Sequence, residues 1–165
     1  MSPIEKQTPM VQNNLGFTII EMVVAMLIIS IAVAFTVPNF KKIIGAYQLD
    51  ISAREMASDI RDLQQKIVKT QNTNYKVIWN IETETYLLSD GVIAYKTIKL
   101  PSGVDLFQSP VNQNNNNIPE MLFAASGRPA NGFGGTVRLV DNNTGKNKYV
   151  FIDTLGRVRV SDTNY

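Results

Sequence analysis

The spacing of apolar residues divides this chain of 165 residues into three parts. Residues 17–37 are almost wholly apolar, and Glu21 is their one charged side chain. Residues 38–72 follow a helical period, whereas residues 73–165 largely alternate with the period of two that is typical of half-buried strands. The pattern predicts an α+β fold, in which one long N-terminal helix packs on an antiparallel β-sheet.

The apolar part, residues 17–37, has the length of a membrane-spanning helix. With a rise of 1.5 Å per residue it would extend roughly 31 Å, about the thickness of the hydrocarbon core of a bilayer. Pro38 follows directly, and because proline lacks a backbone N–H and crowds the carbonyl four residues back, we expect a kink near Ala34. Residues 17–37 are therefore predicted to be a transmembrane and assembly segment.

The helix is predicted to continue beyond Pro38 as an amphipathic helix to about Thr70. Apolar residues recur there largely at steps of three and four, with charged side chains between them. These apolar positions are Phe40, Ile43, Ile44, Tyr47, Ile51, Met56, Ile60, Leu63 and Ile67. We expect this stripe to pack on the sheet.

Short strands joined by turns are predicted for residues 73–165, which we expect to form one domain with the amphipathic helix. The strands are predicted around Val77 and Trp79 and in TYLLS, VIAYKTIKL, MLFAA, TVRLVD, KYVFID and RVRVS. Asp90 and Gly91 indicate a hairpin turn. The block QSPVNQNNNNIPE, with four consecutive asparagines and two prolines, is predicted to be a mobile loop.

The composition argues against an enzyme. The chain contains neither cysteine nor histidine, so disulfides, thiolate metal sites and the commonest general base are all excluded. No nucleophile stands beside a base in any recognisable arrangement. A net charge of +2 gives no bulk preference for nucleic acid. We expect a protein without catalytic activity, cofactor or metal.

Glu21 distinguishes three processing schemes for the apolar segment. A secretory signal could be cut after Ala34, although Glu21 interrupts its apolar region. An uncleaved anchor would leave the carboxylate unexplained in lipid. A cut between Gly16 and Phe17 would place a new α-ammonium group one helical turn from Glu21. Glu21 of one chain could then neutralise the terminus of a neighbouring chain and so set the register of bundled helices.

The segment GFTIIEMVVAMLIISIAVAFTVPNF resembles the N-terminal methylation segment of type IV pilins and type II secretion pseudopilins. Gly16, Phe17, Glu21 and Pro38 fall on the characteristic positions of that family. The resemblance implies that a membrane prepilin peptidase removes the leader, residues 1–16, and that Phe17 is N-methylated. It also implies a single-pass protein of the cytoplasmic membrane, with its C-terminal region outside, which membrane-embedded machinery assembles with other pilins or pseudopilins.

A second resemblance covers roughly residues 55–160. MLFAASGRPANGFGGTVRLV and KYVFIDTLGRVRV are similar to the minor pilins and pseudopilins called FimT, FimU and GspH. The matching positions of that group are Phe123, Gly127, Gly156, Arg157 and Arg159. The resemblance implies a minor subunit of a type IV pilus or a type II secretion pseudopilus, at or near its tip, displayed at the cell surface or in the periplasm.

The GRVRV segment offers an alternative function. On a strand, Arg157 and Arg159 would project to one face about 6.6 Å apart, and guanidinium groups bind phosphates in bidentate fashion. Some FimT-type members of the resembling group capture DNA with this motif, so DNA binding during natural transformation is the alternative. The structural interpretation pairs the arginines with Asp153 or Asp162 and uses Gly156 for a turn with positive φ.

Overall fold

The structure is a computed structural model that describes residues 16–108 and 119–164, without the side chains of residues 36–39 and 41. Nearly all of the predicted leader and most of the asparagine-rich loop therefore lie outside the described residues. The chain divides into two compact units, residues 1–38 and 39–165. The finer domain limits given above stay a prediction.

A single long helix, α1, comprises Ile19–Thr70. The helix ends where the amphipathic period ends, which confirms that part of the prediction. Gln71 closes it with a left-handed backbone, φ 54°, and its N–H donates to the carbonyl of Ile67 at 2.7 Å. The helical assignment runs through Pro38, and the bend expected there stays a prediction.

Eight strands follow α1 in the described part of the chain. They are β1 Lys76–Asn80, β2 Thr85–Ser89, β3 Ala94–Lys99, β4 Val104–Gln108, β5 Glu120–Leu122, β6 Gly135–Asp141, β7 Asn147–Ile152 and β8 Val158–Ser161. All pairs are antiparallel, and the strands form two four-stranded sheets with the orders β3-β2-β1-β5 and β4-β6-β7-β8. The predicted α+β fold, a long helix packed on antiparallel strands, is confirmed, and the strands are divided between two sheets.

The sequence analysis missed β4. Val104 and Leu106 are both 1% exposed, and they alternate with the polar or more exposed positions of the strand. The strand pairs with β6, where Leu106 lies opposite Leu139. Two alternating apolar residues directly before the asparagine-rich block are too short a pattern to predict a strand from sequence.

The core of the second unit lies between α1 and both sheets. Its buried side chains from α1 are Leu49, Ala53, Met56, Ala57, Ile60, Leu63 and Ile67. The sheets contribute Val77, Trp79, Tyr86, Leu88, Leu106, Met121, Val137, Leu139, Val150 and Ile152. Burial of this apolar surface is the main stabilising contribution to the unit.

The first positions of the predicted packing stripe do not reach the core. Phe40, Ile43, Ile44 and Tyr47 are between 49% and 66% exposed, so the expectation that they pack on a sheet is wrong. The reason lies at Gly45, where an added Cβ would lie 2.9 Å from the carboxylate oxygens of one aspartate at the β6–β7 hairpin. At this level α1 meets a polar turn rather than an apolar sheet face.

Candidate functional sites

The N-terminal segment places the predicted cleavage site outside the helix. Residues 16–18 have no regular secondary structure, and Phe17 is 82% exposed. Thr18 acts as the N-cap, because its Oγ1 accepts a hydrogen bond from the N–H of Glu21 at 3.3 Å. Thr18 and Glu21 have the spacing of a capping box, so α1 begins two residues after the Gly16–Phe17 bond.

The surface of the N-terminal unit is apolar and exposed. Every described side chain from residue 17 to 35 is exposed, and all but a few of them are apolar. An added Cβ at Gly16 would meet no atom of the described residues within 4 Å, so packing against them does not require glycine there. Among the residues whose side chains the structure describes, no helix is long and apolar enough to cross a membrane.

The loop between β7 and β8, residues 153–157, is a tight turn organised by Asp153. The carboxylate Oδ1 of Asp153 accepts hydrogen bonds from the backbone N–H groups of Leu155 and Arg157, both at 2.9 Å. The N–H of Gly156 donates to the carbonyl of Asp153 at 2.9 Å. Gly156 has φ +84°, which confirms the prediction of a turn that needs positive φ.

The two arginines of the GRVRV segment are not equivalent in the structure. Arg157 precedes β8, and its Nε donates to Asp153 Oδ2 at 2.8 Å, while Arg159 lies within β8 with its guanidinium 5.1 Å from the centre of the Phe151 ring. Hydrogen bonds from the Arg157 backbone and then from its guanidinium lower the pKa of Asp153. Both arginines are exposed and flank the buried Val158, and only Arg159 belongs to the strand itself. The pairing of Arg157 with Asp153 is confirmed.

The Phe123–Gly127 motif forms a second turn. Phe123 is fully buried and forms an isolated antiparallel bridge with Pro129. Within the turn, the N–H of Ala124 donates to the carbonyl of Arg128, and the N–H of Gly127 donates to the carbonyl of Ala124, both at 2.8 Å. Gly127 also has a positive φ of 77°. The phenylalanine thus anchors the turn in the core while the glycine allows it to reverse.

Gln64 on α1 joins these two turns. Its Nε2 donates to the carbonyl oxygens of Gly127 and Gly156, each at 2.8 Å. The turns also touch each other, since an added Cβ at Gly156 would lie 2.7 Å from the Gly127 oxygen. One turn of α1 earlier, Arg61 Nη2 donates to the carbonyl of Val158 at 2.7 Å. The sequence analysis missed Gln64 and Arg61; the only signal for Gln64 is a polar residue directly after the buried Leu63.

A basic groove lies between α1 and β8 in the second unit, and we call it the α1–β8 groove. Four cationic side chains line it, together with Ala57, Val160, Ser161 and Asp162; the cations are Arg54, Arg61, Lys148 and Arg159. Its volume is about 420 Å³. Lys148 and Arg159, which are 11 positions apart in the sequence, thus line the same groove.

Lys148 connects α1 to the end of β8. Its Nζ lies 2.8 Å from Asp50 Oδ1 and 2.7 Å from Asp162 Oδ1. Hydrogen bonds to Asp162 and then to Asp50 raise the pKa of Lys148, and the hydrogen bonds from Lys148 and then from Arg54 lower the pKa of Asp50. These contacts hold the side chain of Lys148 in one place within the groove.

Asp59 is a polar residue of α1 whose burial the helical pattern did not predict. The pattern put it on the solvent side of α1, but it is 7% exposed. Its Oδ2 accepts a hydrogen bond from the Tyr86 hydroxyl at 2.9 Å, and its Oδ1 forms an ion pair with Lys96 at 2.5 Å. Burial, followed by the hydrogen bond to Asp59, raises the pKa of Tyr86. The carboxylate is tolerated inside the unit because both oxygens are satisfied.

Comparison with known proteins finds a family match at the N-terminus. Residues 12–37 match the model of the prokaryotic N-terminal methylation motif. The motif thus extends into the start of the long helix whose later part packs on antiparallel sheets.

Two crystal structures of the type IV minor pilin FimU from Pseudomonas aeruginosa strain PAO1 have a similar fold. One, in space group P21, matches with a TM-score of 0.53 and 12% identity over 70% of this chain and 90% of that chain. The other, in space group P65, matches with a TM-score of 0.51 and 13% identity over 68% and 92% of the two chains. At such identities the likeness concerns the fold. No curated protein shows a significant match to the sequence.

Proposed function

We propose that this chain is a minor subunit of a type IV pilus or of a type II secretion pseudopilus, located at or near the tip. One observation carries the proposal. A prokaryotic N-terminal methylation motif and a fold similar to that of a minor pilin occur in one chain, with the motif at the start of the long helix. The function is structural, and its partners are other pilins or pseudopilins and the membrane-embedded machinery that assembles them.

Processing is proposed to occur at the Gly16–Phe17 bond. A prepilin peptidase removes residues 1–16, and Phe17 then becomes the N-methylated terminus. The position of the bond before α1, together with the exposure of Phe17, supports this proposal, because a peptidase could reach the bond without unwinding the helix. The open space around Gly16 also supports it, since the fold itself gives no reason for a glycine.

The apolar surface of residues 17–35 is proposed to anchor the chain in the cytoplasmic membrane, with residues 39–165 outside, until assembly. Exposed apolar surface of this extent needs lipid or other helices to cover it. Within such surroundings Glu21 is costly unless it meets a cation, and the α-ammonium of Phe17 in a neighbouring subunit supplies one. Pro38 is proposed to provide the joint at the end of the anchor.

Mass spectrometry of the mature chain tests the processing step. We expect a chain that begins at Phe17 and carries one additional methyl group. Replacement of Gly16 by Val should leave the leader attached, whereas Thr18→Ser, two residues away, should be processed normally. A mature chain that begins at Phe35 would instead indicate an ordinary secretory signal and refute the proposal.

Assembly is tested separately with Glu21. Glu21→Gln removes the charge but keeps the size of the side chain, and we expect this variant to be cleaved normally but to be largely absent from sheared pilus or pseudopilus fractions. Glu21→Asp keeps the charge and should be recovered at a higher level. Equal recovery of Glu21→Gln and the parent chain would refute the role of the carboxylate in register.

DNA binding through Arg157 and Arg159 is the second candidate function. The favourable observation is that the side chain of Arg157 is 80% exposed and Arg159 is exposed as well. The ion pair between Arg157 and Asp153 argues against DNA binding, because a phosphate would have to displace the carboxylate that already holds Arg157. A gel shift of the full chain at low salt, lost on replacement of both arginines by Ala, would support DNA binding. The absence of a shift at any salt concentration would exclude it.

A further inference from the structure

We propose that the α1–β8 groove binds an acidic protein segment, a stretch of chain that presents two or three neighbouring carboxylates. The groove lies wholly within the second unit, and this inference holds whether or not the chain enters a filament. Four cationic side chains line the groove, which has a volume of about 420 Å³, and the carboxylate of Asp162 lines it as well. Asp50 adjoins it through its contacts with Arg54 and Lys148. Four positive and two negative groups leave a charge of +2.

Three of the four cations already have polar partners within the chain. Arg61 is held by the Val158 carbonyl, Arg54 by Asp50 through Nε at 2.6 Å, and Lys148 by two carboxylates. Because these side chains are already ordered, a partner that binds them loses less conformational entropy than it would on flexible surface lysines. The groove is therefore preorganised for anionic oxygens.

Arg61, Arg54 and Lys148 also keep donors for a partner. A guanidinium group carries five N–H donors and an ammonium group three. In the described structure Arg61 uses one Nη group on a backbone carbonyl, Arg54 uses its Nε, and Lys148 engages two acceptors. Carboxylates match the remaining guanidinium donors, since they accept two parallel hydrogen bonds.

The charge around the groove favours a short acidic segment over a nucleic acid. Polyanions gain affinity by adding phosphate contacts along an extended basic path. Here each end of β8 has a carboxylate: Asp153 pairs with Arg157 just before the strand, and Asp162 follows it. These groups would repel a phosphate backbone that continued in either direction. A segment with only two or three carboxylates need not extend as far as Asp153, and the Asp162 it meets is already paired with Lys148.

The test uses the full chain in a non-ionic detergent and three fluorescent probes: a short poly-glutamate peptide, a poly-glutamine peptide of the same length, and a thymidine oligonucleotide of the same charge. Fluorescence anisotropy at low salt should detect binding of poly-glutamate, weaker binding of the oligonucleotide and no binding of poly-glutamine. Added salt should weaken the binding of poly-glutamate. Tighter binding of the oligonucleotide, or no binding of poly-glutamate, would overturn the proposal.

Two matched double variants test the location of the site. Arg54→Gln with Arg61→Gln removes two charges from the groove and keeps polar side chains at both positions. We expect poly-glutamate to bind about tenfold more weakly, the effect of two exposed charge pairs. Lys42→Gln with Lys99→Gln removes two charges from exposed positions outside the groove and should change the affinity by less than about twofold.

Equal losses in the two double variants would show that net charge rather than the groove governs binding, and would refute the site. A further variant, Ser161→Glu, adds a carboxylate to the lining without changing any arginine. It should also weaken binding, by less than the arginine variant because it changes one charge rather than two, and it keeps the test valid if loss of Arg61 impairs folding. Wild-type affinity in this variant would also contradict the proposal.

Discussion

Gln64 connects α1 to both turns that bear the glycine motifs, so its replacement should destabilise the second unit in a specific way. Its side chain amide donates to the Gly127 and Gly156 oxygens at 2.8 Å each. In Gln64→Ala both carbonyl groups lose their donor in a partly buried position. The two turns are then held to the helix by fewer polar contacts, although the apolar core is unchanged.

The expected loss of stability follows from these two contacts. A hydrogen bond contributes about 0.5–1.5 kcal/mol net, so loss of both should lower the free energy of unfolding by about 1–3 kcal/mol. For a unit of this size, that corresponds to a decrease in Tm on the order of 5–10 °C. Alanine is slightly the better helix former, so the change in helix propensity acts in the opposite direction and cannot account for a loss.

Gln65→Ala is the matched control. It makes the same chemical change at the next position of α1, where the side chain is exposed. Its effect should stay within about 0.5 kcal/mol. Urea unfolding of the full chain in non-ionic detergent can be followed by the fluorescence of Trp79, the one tryptophan, which is fully buried.

Gln64→Glu sharpens the test, because it keeps the shape of the side chain but replaces the donor by a carboxylate that faces two carbonyl oxygens. At neutral pH it should be at least as destabilising as Gln64→Ala. The pKa of the introduced carboxyl group should be raised in the folded state, so stability should recover as the pH falls through that raised pKa and the protonated group regains a donor. Equal stability of Gln64→Ala and Gln65→Ala, or no such recovery, would refute the reasoning.

Three further predictions concern single contacts of the second unit. Gly156→Ala should lower Tm in a thermal melt, because φ is +84° and the new Cβ would lie 2.7 Å from a carbonyl oxygen. The free energy of unfolding should fall by more than about 1 kcal/mol, and an unchanged Tm would contradict this prediction. Tyr86→Phe removes the hydroxyl group that donates to Asp59, and urea unfolding should show a free energy of unfolding lower by about 1 kcal/mol. No change in this free energy would contradict the prediction. The lowered pKa of Asp50, due first to Lys148, means that its contribution to stability is complete above the ordinary pKa of 3.8 and is lost as the pH falls through the folded value. Asp50→Asn should therefore reduce the acid-dependent loss of stability, and an unaltered pH profile would disprove this.

The features that sequence predicted correctly are local ones. The end of α1 at Thr70 follows from an apolar period that the next residues do not continue. The positive φ of Gly156 follows from a turn between two strands, where only glycine is unstrained. Both depend on residues within a few positions of each other, so a single sequence contains the necessary information.

The features that sequence did not predict depend on contacts between distant residues. β1 pairs with β5, which brings Val77 opposite Met121, and this pairing helps to divide the strands into two sheets rather than one. The apolar pattern of α1 predicts that Asp59 is exposed. It is instead buried where Tyr86 and Lys96 contact it from neighbouring strands. Nothing in the local pattern of α1 specifies those partners.

The geometry of the GRVRV segment shows the same limit at the candidate site. β8 begins at Val158, so Arg157 lies in the turn before the strand and Arg159 lies within it. Asp153 binds both the backbone N–H and the guanidinium of Arg157 and holds that residue in the turn. The sequence analysis gave this pairing as the structural interpretation, and the alternation of residues could not decide between it and phosphate binding.

Two glycines separate what the fold requires from what it leaves open. Gly156 is required by the fold, because both its positive φ and its contact with the neighbouring turn exclude a larger residue without strain. At Gly16 an added Cβ would meet no atom of the described residues within 4 Å, and Phe17 beside it is exposed. If substitution of Gly16 abolishes maturation while the second unit keeps its stability, the requirement for glycine must arise from a molecule that acts on the chain. That is the role the proposed function gives to the prepilin peptidase.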